Sequence, residues 1–132
     1  MAELRDYLQM AVDRNASDIF IVAGGPVGIK CGGKILPADD IRLMPQMTEE
    51  LIKAVYEFAH RDLDKLRETG DDDFSFAVGG MARFRVNAYQ QRGSLAAVIR
   101  IVSFSIPDYK QLGIPENRTQ QQNFKLLALK VQ

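Results

Sequence analysis

The sequence of 132 residues has no tryptophan, one cysteine, one histidine and no net charge. Because Cys31 is alone, no disulfide can form within the chain, which favours a reducing compartment such as the cytoplasm. Because His60 is alone, a metal site with several histidines is excluded, and its charged neighbours predict a solvent-exposed position. Seventeen basic residues balance seventeen acidic ones, so the overall charge does not indicate binding to nucleic acid or to an anionic membrane.

Long apolar runs are also missing from the sequence. No run approaches the ~20 residues of a membrane-spanning helix. The N-terminal segment MAELRDYLQMAVDRN carries charges throughout and lacks the apolar core of a signal peptide. We therefore expect a cytoplasmic protein that does not insert into a membrane. The length of the chain fits one domain with a hydrophobic core of its own.

Three segments have apolar residues at the spacing of an amphipathic helix. These segments are residues 2–14, 48–59 and 61–68. Asn15 is expected to end the first helix and Thr48 to cap the second. Gly70 is expected to end the third helix, because glycine readily adopts the left-handed conformation found after helices.

Strands are predicted where apolar and polar residues alternate, or where β-branched and aromatic residues cluster. These patterns predict strands at residues 17–22 and 73–78, a small hairpin turning at Gly32 and Gly33, and a long hairpin over residues 81–102. Antiparallel strands and helices without a regular βαβ alternation predict the α+β class, with helices packed on an antiparallel β-sheet.

The long hairpin at residues 81–102 organises the rest of the chain. A two-residue turn at Arg92 and Gly93 sets a register in which Arg85 lies directly opposite Arg100. Like charges in this position destabilise a sheet by roughly 0.2–1 kcal/mol. A slip of one residue would mix the apolar and polar faces, so burial should fix the register. The expected apolar face pairs Phe84, Val86 and Ala88 with Ala97, Ile99 and Ile101.

Residues 81–102 contain four arginines and no acidic residue. Taken alone, this pattern is compatible with a solvated sheet face and equally with a site for phosphate or carboxylate. Arginine suits such a site because its planar guanidinium donates paired hydrogen bonds and stays charged when partly desolvated. A third possibility is a single-stranded nucleic-acid surface formed by Arg83, Arg85 and Tyr89, which the neutral overall charge disfavours.

Three other motifs are interpreted as structural. Residues 28–34, GIKCGGK, match the start of a P-loop, but Ile35 lacks the magnesium-binding hydroxyl and Pro37 prevents the required helix. Cys31 has no second cysteine or histidine nearby to activate a thiolate. Three consecutive aspartates at residues 71–73 cannot all face one ion and are interpreted as a charged turn. We therefore expect no catalytic residue and no metal site in this chain.

Three segments of the sequence carry a family resemblance. NASDIF (15–20), DDDFSFAVGGMARFRVNAYQQRGSLAAVIRIV (71–102) and LGIPEN (112–117) closely resemble the N-terminal domain of the PilT-type ATPases. These are the retraction, or twitching-motility, motors of type IV pili within the secretion ATPase family. The resemblance implies a PAS-like domain at residues 1–105 and a linker at residues 106–117 toward a RecA-like motor domain. Residues 118–132 do not resemble the family and form an atypical tail of unknown origin.

The same resemblance implies a hexameric ring in which the motor domain binds ATP and magnesium at its Walker A loop, between subunits. Arginines of the N-terminal domain reach the nucleotide phosphates in this family, and the matching positions are Arg85 and Arg100, with Arg83 as a less certain neighbour. The chain itself has no Walker A, Walker B or catalytic glutamate motif, so no hydrolysis is expected from it alone. The implied partners are the motor domain, neighbouring subunits and the pilus base machinery, but no nucleic acid. The alternative is a PAS-like module that binds a small molecule or a protein.

Overall fold

The computed structural model describes residues 3–102. The predicted linker at residues 106–117 and tail at residues 118–132 lie outside this range. No helix in the described range is both long and apolar enough to cross a membrane. The elements of the described range are α1 (Leu4–Asp13), β1 (Asp18–Ile21), β2 (Gly28–Cys31), β3 (Lys34–Pro37), α2 (Pro45–Phe58), α3 (Asp64–Thr69), β4 (Asp71–Val78), β5 (Ala82–Gln91) and β6 (Ser94–Val102).

The six strands form one antiparallel sheet in the order β3-β2-β1-β6-β5-β4. Its inner face carries Phe84 and Ile99, which share a buried core with Tyr7 of α1 and Tyr56 of α2. This confirms the predicted α+β class, with helices packed on an antiparallel sheet. The strand order also places β1 directly beside β6, and this pairing brings the start of β1 to the arginine-bearing outer face.

The register of the long hairpin is confirmed. Phe84 pairs with Ile101, and Arg85 pairs with Arg100. The turn residues Arg92 and Gly93 have φ angles of 40° and 79°. Positive φ at both central residues is the signature of the tight turn that matches the twist of a hairpin. Burial of the apolar face therefore outweighs the repulsion between two opposed arginines.

The small hairpin turns at Gly32 and Gly33, as predicted, with φ angles of 57° and 83°. The segment that resembles a P-loop is thus divided between two paired strands, β2 and β3. It has no following helix that could direct backbone N–H groups at a phosphate. Cys31 ends β2 and is partly exposed, with its thiol 3.9 Å from the carbonyl oxygen of Arg14.

The start of α2 differs from the prediction. The helix begins at Pro45, so Thr48 lies within its first turn rather than capping it. Proline suits this position because the first helical N–H has no acceptor within the helix in any case. The Thr48 hydroxyl is buried and donates a hydrogen bond to the Pro45 carbonyl at 2.8 Å. The prediction that Asn15 ends α1 agrees with its φ angle of 57°.

The start of α3 also differs, because α2 ends in a turn that occupies the predicted first residues of α3. His60 is exposed, as predicted, with a φ angle of 53°, and the Arg61 N–H donates to the Tyr56 carbonyl at 3.0 Å. These contacts form a Schellman motif, which reverses the chain after a helix. Helix α3 then begins at Asp64 and ends, as predicted, at Gly70, whose φ angle is 78°.

The interpretation of residues 71–73 as a charged turn is wrong. Strand β4 already begins at Asp71, and its alternation directs Asp72 into the protein, where the side chain is completely buried. Arg61 donates to both carboxylate oxygens of Asp72, at 2.9 and 2.8 Å, and the Tyr56 hydroxyl donates to Oδ2 at 2.8 Å. A carboxylate can remain charged in the interior only with such partners. This cluster ties the α2–α3 connection to the sheet.

These hydrogen bonds also shift three pKa values. The hydrogen bonds from Arg61 lower the pKa of Asp72, outweighing burial, and the bond from Tyr56 adds to this effect. The hydrogen bond to Asp72 raises the pKa of Arg61. Burial, followed by the bond to Asp72, raises the pKa of Tyr56. At neutral pH the cluster therefore consists of an ion pair and a neutral phenol that donates to it.

Candidate functional site

Arg85 and Arg100 lie side by side on the outer face of the sheet. They occupy directly paired positions of β5 and β6, and both are exposed to solvent. Regular pairing continues on both sides of them, from Arg83 opposite Val102 to Gln91 opposite Ser94. The sheet therefore fixes the two Cα positions and leaves the long side chains accessible.

Arg83, the third predicted site residue, has a different environment. It lies on the same face, two residues before Arg85, and is half-buried. Its Nε atom is buried and has no hydrogen-bond partner among residues 3–102. A buried donor without an acceptor is costly. Arg83 therefore lies next to the pair, but it is less exposed to solvent than Arg85 and Arg100.

The neighbouring strand supplies a carboxylate that the hairpin itself lacks. Asp18, at the start of β1, pairs with Arg100 across the sheet. Its Oδ1 atom lies 3.3 Å from Nε of Arg100, and its Oδ2 atom accepts a hydrogen bond from the Ser17 hydroxyl at 2.8 Å. Sequence reasoning missed this contact because it did not place β1 beside β6. The sequence signal for this contact was the position of Asp18, a single carboxylate directly before the apolar residues of β1.

A shallow depression of about 260 Å³ lies over this part of the outer face. Its polar lining consists of two arginines, two carboxylates and the side-chain amide of Asn87 on β5, the strand between β4 and β6. Asn87 donates hydrogen bonds to Asp73 at 2.8 Å and to Asp71 at 3.0 Å. The local charge is therefore balanced before any ligand binds. The lining residues include Asp18, Asp73, Arg85, Asn87, Val98 and Arg100.

The chemistry of the depression fits a phosphate group contacted from one side. The side chain of Arg85 makes no hydrogen bond or ion pair in the described range, so no residue of that range engages its guanidinium. Arg100 contacts Asp18 through Nε, which leaves its two terminal nitrogens available. Two guanidinium groups on adjacent strands can together donate several charge-assisted hydrogen bonds to phosphate oxygens. Within residues 3–102, no cluster of three or more His, Cys, Asp or Glu residues could hold a metal ion.

The nucleic-acid possibility receives little support from this face. Tyr89 is half-buried and lies opposite Asp71, and Asp73 follows on the same side of β4. These carboxylates place negative charge beside the aromatic ring, where a phosphate backbone would have to pass. The arginine pair is consequently better suited to a small anionic group than to an extended strand.

The comparisons with known proteins point to pilus ATPases. The chain is 33% identical over 115 residues to the type IV pilus ATPase PilU of Pseudomonas aeruginosa strain PAO1. It is 30% identical over 118 residues to the type IV pilus retraction ATPase PilT of the same strain. Each match covers 86% of this chain but only 29% and 33% of the relative, so the chain spans about a third of their length. No family model matches the chain.

A solved structure of the pilus retraction motor PilT with bound ADP shares the fold. It matches with a TM-score of 0.71 and 38% identity, covering 88% of this chain and 34% of that one. The shared part is the α+β domain described above. These matches give no support to the alternative of a separate small-molecule or protein-binding module. In sequence and fold, the chain therefore corresponds to the N-terminal domain of the PilT-type pilus retraction ATPases.

Proposed function

We propose that the described domain is the nucleotide-contacting N-terminal domain of a hexameric type IV pilus retraction ATPase. In this proposal Arg85 and Arg100 contact phosphates of the nucleotide held by the motor domain of a neighbouring subunit. The observation that carries the proposal is the exposed arginine pair, fixed by sheet register on one face with its terminal guanidinium nitrogens accessible. Arg83 lies on the same face, two residues before Arg85, and adds a third positive charge beside the pair.

The charge of the pair explains why it would act at a phosphate. In phosphoryl transfer, catalysis depends mainly on positioning and on stabilising charge at the transferring group. Arginine remains protonated at all relevant pH values and can bind two oxygens at once. In the resting domain the two cations repel each other. A phosphate between them would relieve this repulsion. Nucleotide binding would therefore favour the position of the domain in which both arginines contact the phosphate.

The cofactor in this proposal is ATP with magnesium, bound by the Walker A loop of a motor domain. The motor domain supplies the metal and the phosphate-binding loop, while the chain described here supplies only cations. Its partners are that motor domain, neighbouring subunits of a homohexamer and the machinery at the pilus base. This arrangement places the protein in the cytoplasm, where ATP is available.

The proposal predicts opposite outcomes for the chain alone and for the chain joined to a motor domain. The purified 132-residue chain should hydrolyse no ATP, because in this proposal the motor domain supplies the groups that bind the nucleotide and activate water. A PilT chimera, in which residues 1–117 precede the motor domain of P. aeruginosa PilT, should hydrolyse ATP. Phosphate release by both proteins is the measurement. Turnover that follows the isolated chain through purification, or an assembled chimera without turnover, contradicts the proposal.

A further inference from the structure

The two arginines of the candidate site are held in different ways. The side chain of Arg85 makes no hydrogen bond or ion pair within residues 3–102. Arg100 contacts Asp18, whose side chain is only 9% exposed, whereas 70% of the Arg100 side chain is exposed. The pair thus combines one unrestrained guanidinium with one that is fixed at its base by a buried carboxylate.

The atoms of this contact determine what remains available. Oδ1 of Asp18 lies 3.3 Å from Nε of Arg100, the nitrogen nearest the main chain. Oδ2 of Asp18 is engaged by the Ser17 hydroxyl at 2.8 Å, which fixes the orientation of the carboxylate. The terminal nitrogens of Arg100 are not used by Asp18. They form the end of the guanidinium, which can bind two oxygens of one phosphate.

We propose that Asp18 is a positioning residue that holds Arg100 through Nε and directs its terminal nitrogens toward the nucleotide phosphate. This inference rests on the proposed function of the arginine pair. An arginine restricted before the ligand arrives loses less side-chain freedom on binding. Arg85, without such a restraint, is the member of the pair that must become ordered when phosphate binds.

Electrostatics alone predicts that the negative charge of Asp18 hinders phosphate binding, whereas a positioning role predicts that Asp18 supports it. A carboxylate close to a phosphate would weaken binding by repulsion. Asp73 lines the same depression, is exposed, and contacts Asn87 rather than an arginine. Asp73→Ala therefore tests the effect of removing negative charge alone. If charge alone matters, removing either carboxylate should favour phosphate binding, whereas positioning requires that only Asp18→Ala impairs it.

The test measures ATP hydrolysis by four versions of the PilT chimera: wild type, Asp18→Ala, Arg100→Ala and the double variant. We expect Asp18→Ala to lower kcat by about tenfold, less than Arg100→Ala, because the arginine remains but is no longer held. The double variant should be no slower than Arg100→Ala, since Asp18 acts only through Arg100. Asp73→Ala should not lower the rate, and Asp13→Ala, which removes an exposed carboxylate outside the depression, should leave it unchanged.

A second measurement does not depend on catalysis. In the 132-residue chain, NMR should show slowed exchange of the Arg100 Nε–H with solvent. This protection should weaken in Asp18→Asn, whose carbonyl oxygen is a neutral acceptor, and disappear in Asp18→Ala. If Arg100→Ala lowers kcat but Asp18→Ala does not, or the double variant falls well below Arg100→Ala, the positioning role is wrong and the proposed function stands. If Arg100→Ala itself has the wild-type rate, the phosphate contact of Arg100 fails, and the role of Asp18 fails with it.

Discussion

Alanine at position 85 or 100 should lower kcat of the PilT chimera on the order of 10²–10³-fold, the range found when one charge-stabilising donor is removed from an active site. Each substitution removes a cation that would face the transferring phosphate. Lysine at either position should recover only part of the rate, because an ammonium keeps the charge but cannot bind two oxygens in one plane. The measurement is steady-state ATP hydrolysis by chimeras whose assembly is checked by light scattering.

Two other arginines of the same hairpin provide controls. Arg92 lies in the exposed turn at the opposite end of the hairpin, so Arg92→Ala should leave kcat unchanged. Arg83→Ala should have an intermediate effect, because Arg83 is half-buried beside the pair. Wild-type kcat in assembled Arg85→Ala and Arg100→Ala chimeras would exclude the proposed arginine role. An equal loss in Arg92→Ala would show that the hairpin tolerates no change and that the effect is structural.

The largest effect on stability is expected at Asp72. Removing one partner of a buried ion pair costs roughly 3–5 kcal/mol, because the remaining partner loses its counter-charge in the interior. Arg61 is partly exposed, with 38% of its side chain accessible, so water can solvate it and the lower end of that range applies. The chain with Asp72→Ala should therefore lose about 3 kcal/mol of unfolding free energy and more than about 10 °C in Tm. Urea and thermal unfolding measure both quantities.

Asp73→Ala is the control for this substitution, because Asp73 is the next residue of β4 and its side chain is exposed. It should change the unfolding free energy by no more than about 0.5 kcal/mol. A loss below 1 kcal/mol for Asp72→Ala would show that the buried cluster contributes little beyond its packing.

The Asp72 contribution should depend on pH in a defined direction. The pKa of Asp72 is lowered in the folded protein relative to its unfolded value of about 3.9. A lowered carboxyl pKa stabilises the fold above the unfolded pKa, and this stabilisation is lost as pH falls through the folded pKa. The stability difference between wild type and Asp72→Asn should thus be constant from about pH 5 to 7 and shrink below about pH 4. A difference that persists unchanged or grows on acidification contradicts the ion-pair account.

The central hairpin could be predicted in detail because its determinants are local. Alternation of Phe84, Val86 and Ala88 with arginine and asparagine assigns each residue to a face. The turn at Arg92 and Gly93 then determines the partner of every strand residue. The same local logic found the end of α1 and the small hairpin, where particular residues accept positive φ angles.

The contacts that sequence reasoning missed are between segments far apart in the chain. The local pattern assigns Asp72 to a charged turn, because its partners, Tyr56 and Arg61, precede it by more than ten residues. Asp18 contacts Arg100 across 82 residues, and only the order of strands in the sheet brings them together. Charge patterns within one segment therefore give an incomplete account of a site, since a neighbouring strand can supply the opposite charge.

The proposed contact across a subunit boundary is tested most directly by mixing two inactive chimeras. One carries Arg85→Ala and Arg100→Ala, and the other carries intact arginines but a motor domain with its Walker A lysine replaced. In mixed rings, some interfaces join intact arginines from one subunit to an intact nucleotide site of its neighbour. The account predicts ATP hydrolysis by the mixture well above that of either parent. A mixture that forms mixed rings, shown by native mass spectrometry, yet stays as inactive as its parents would contradict an arginine contact between subunits.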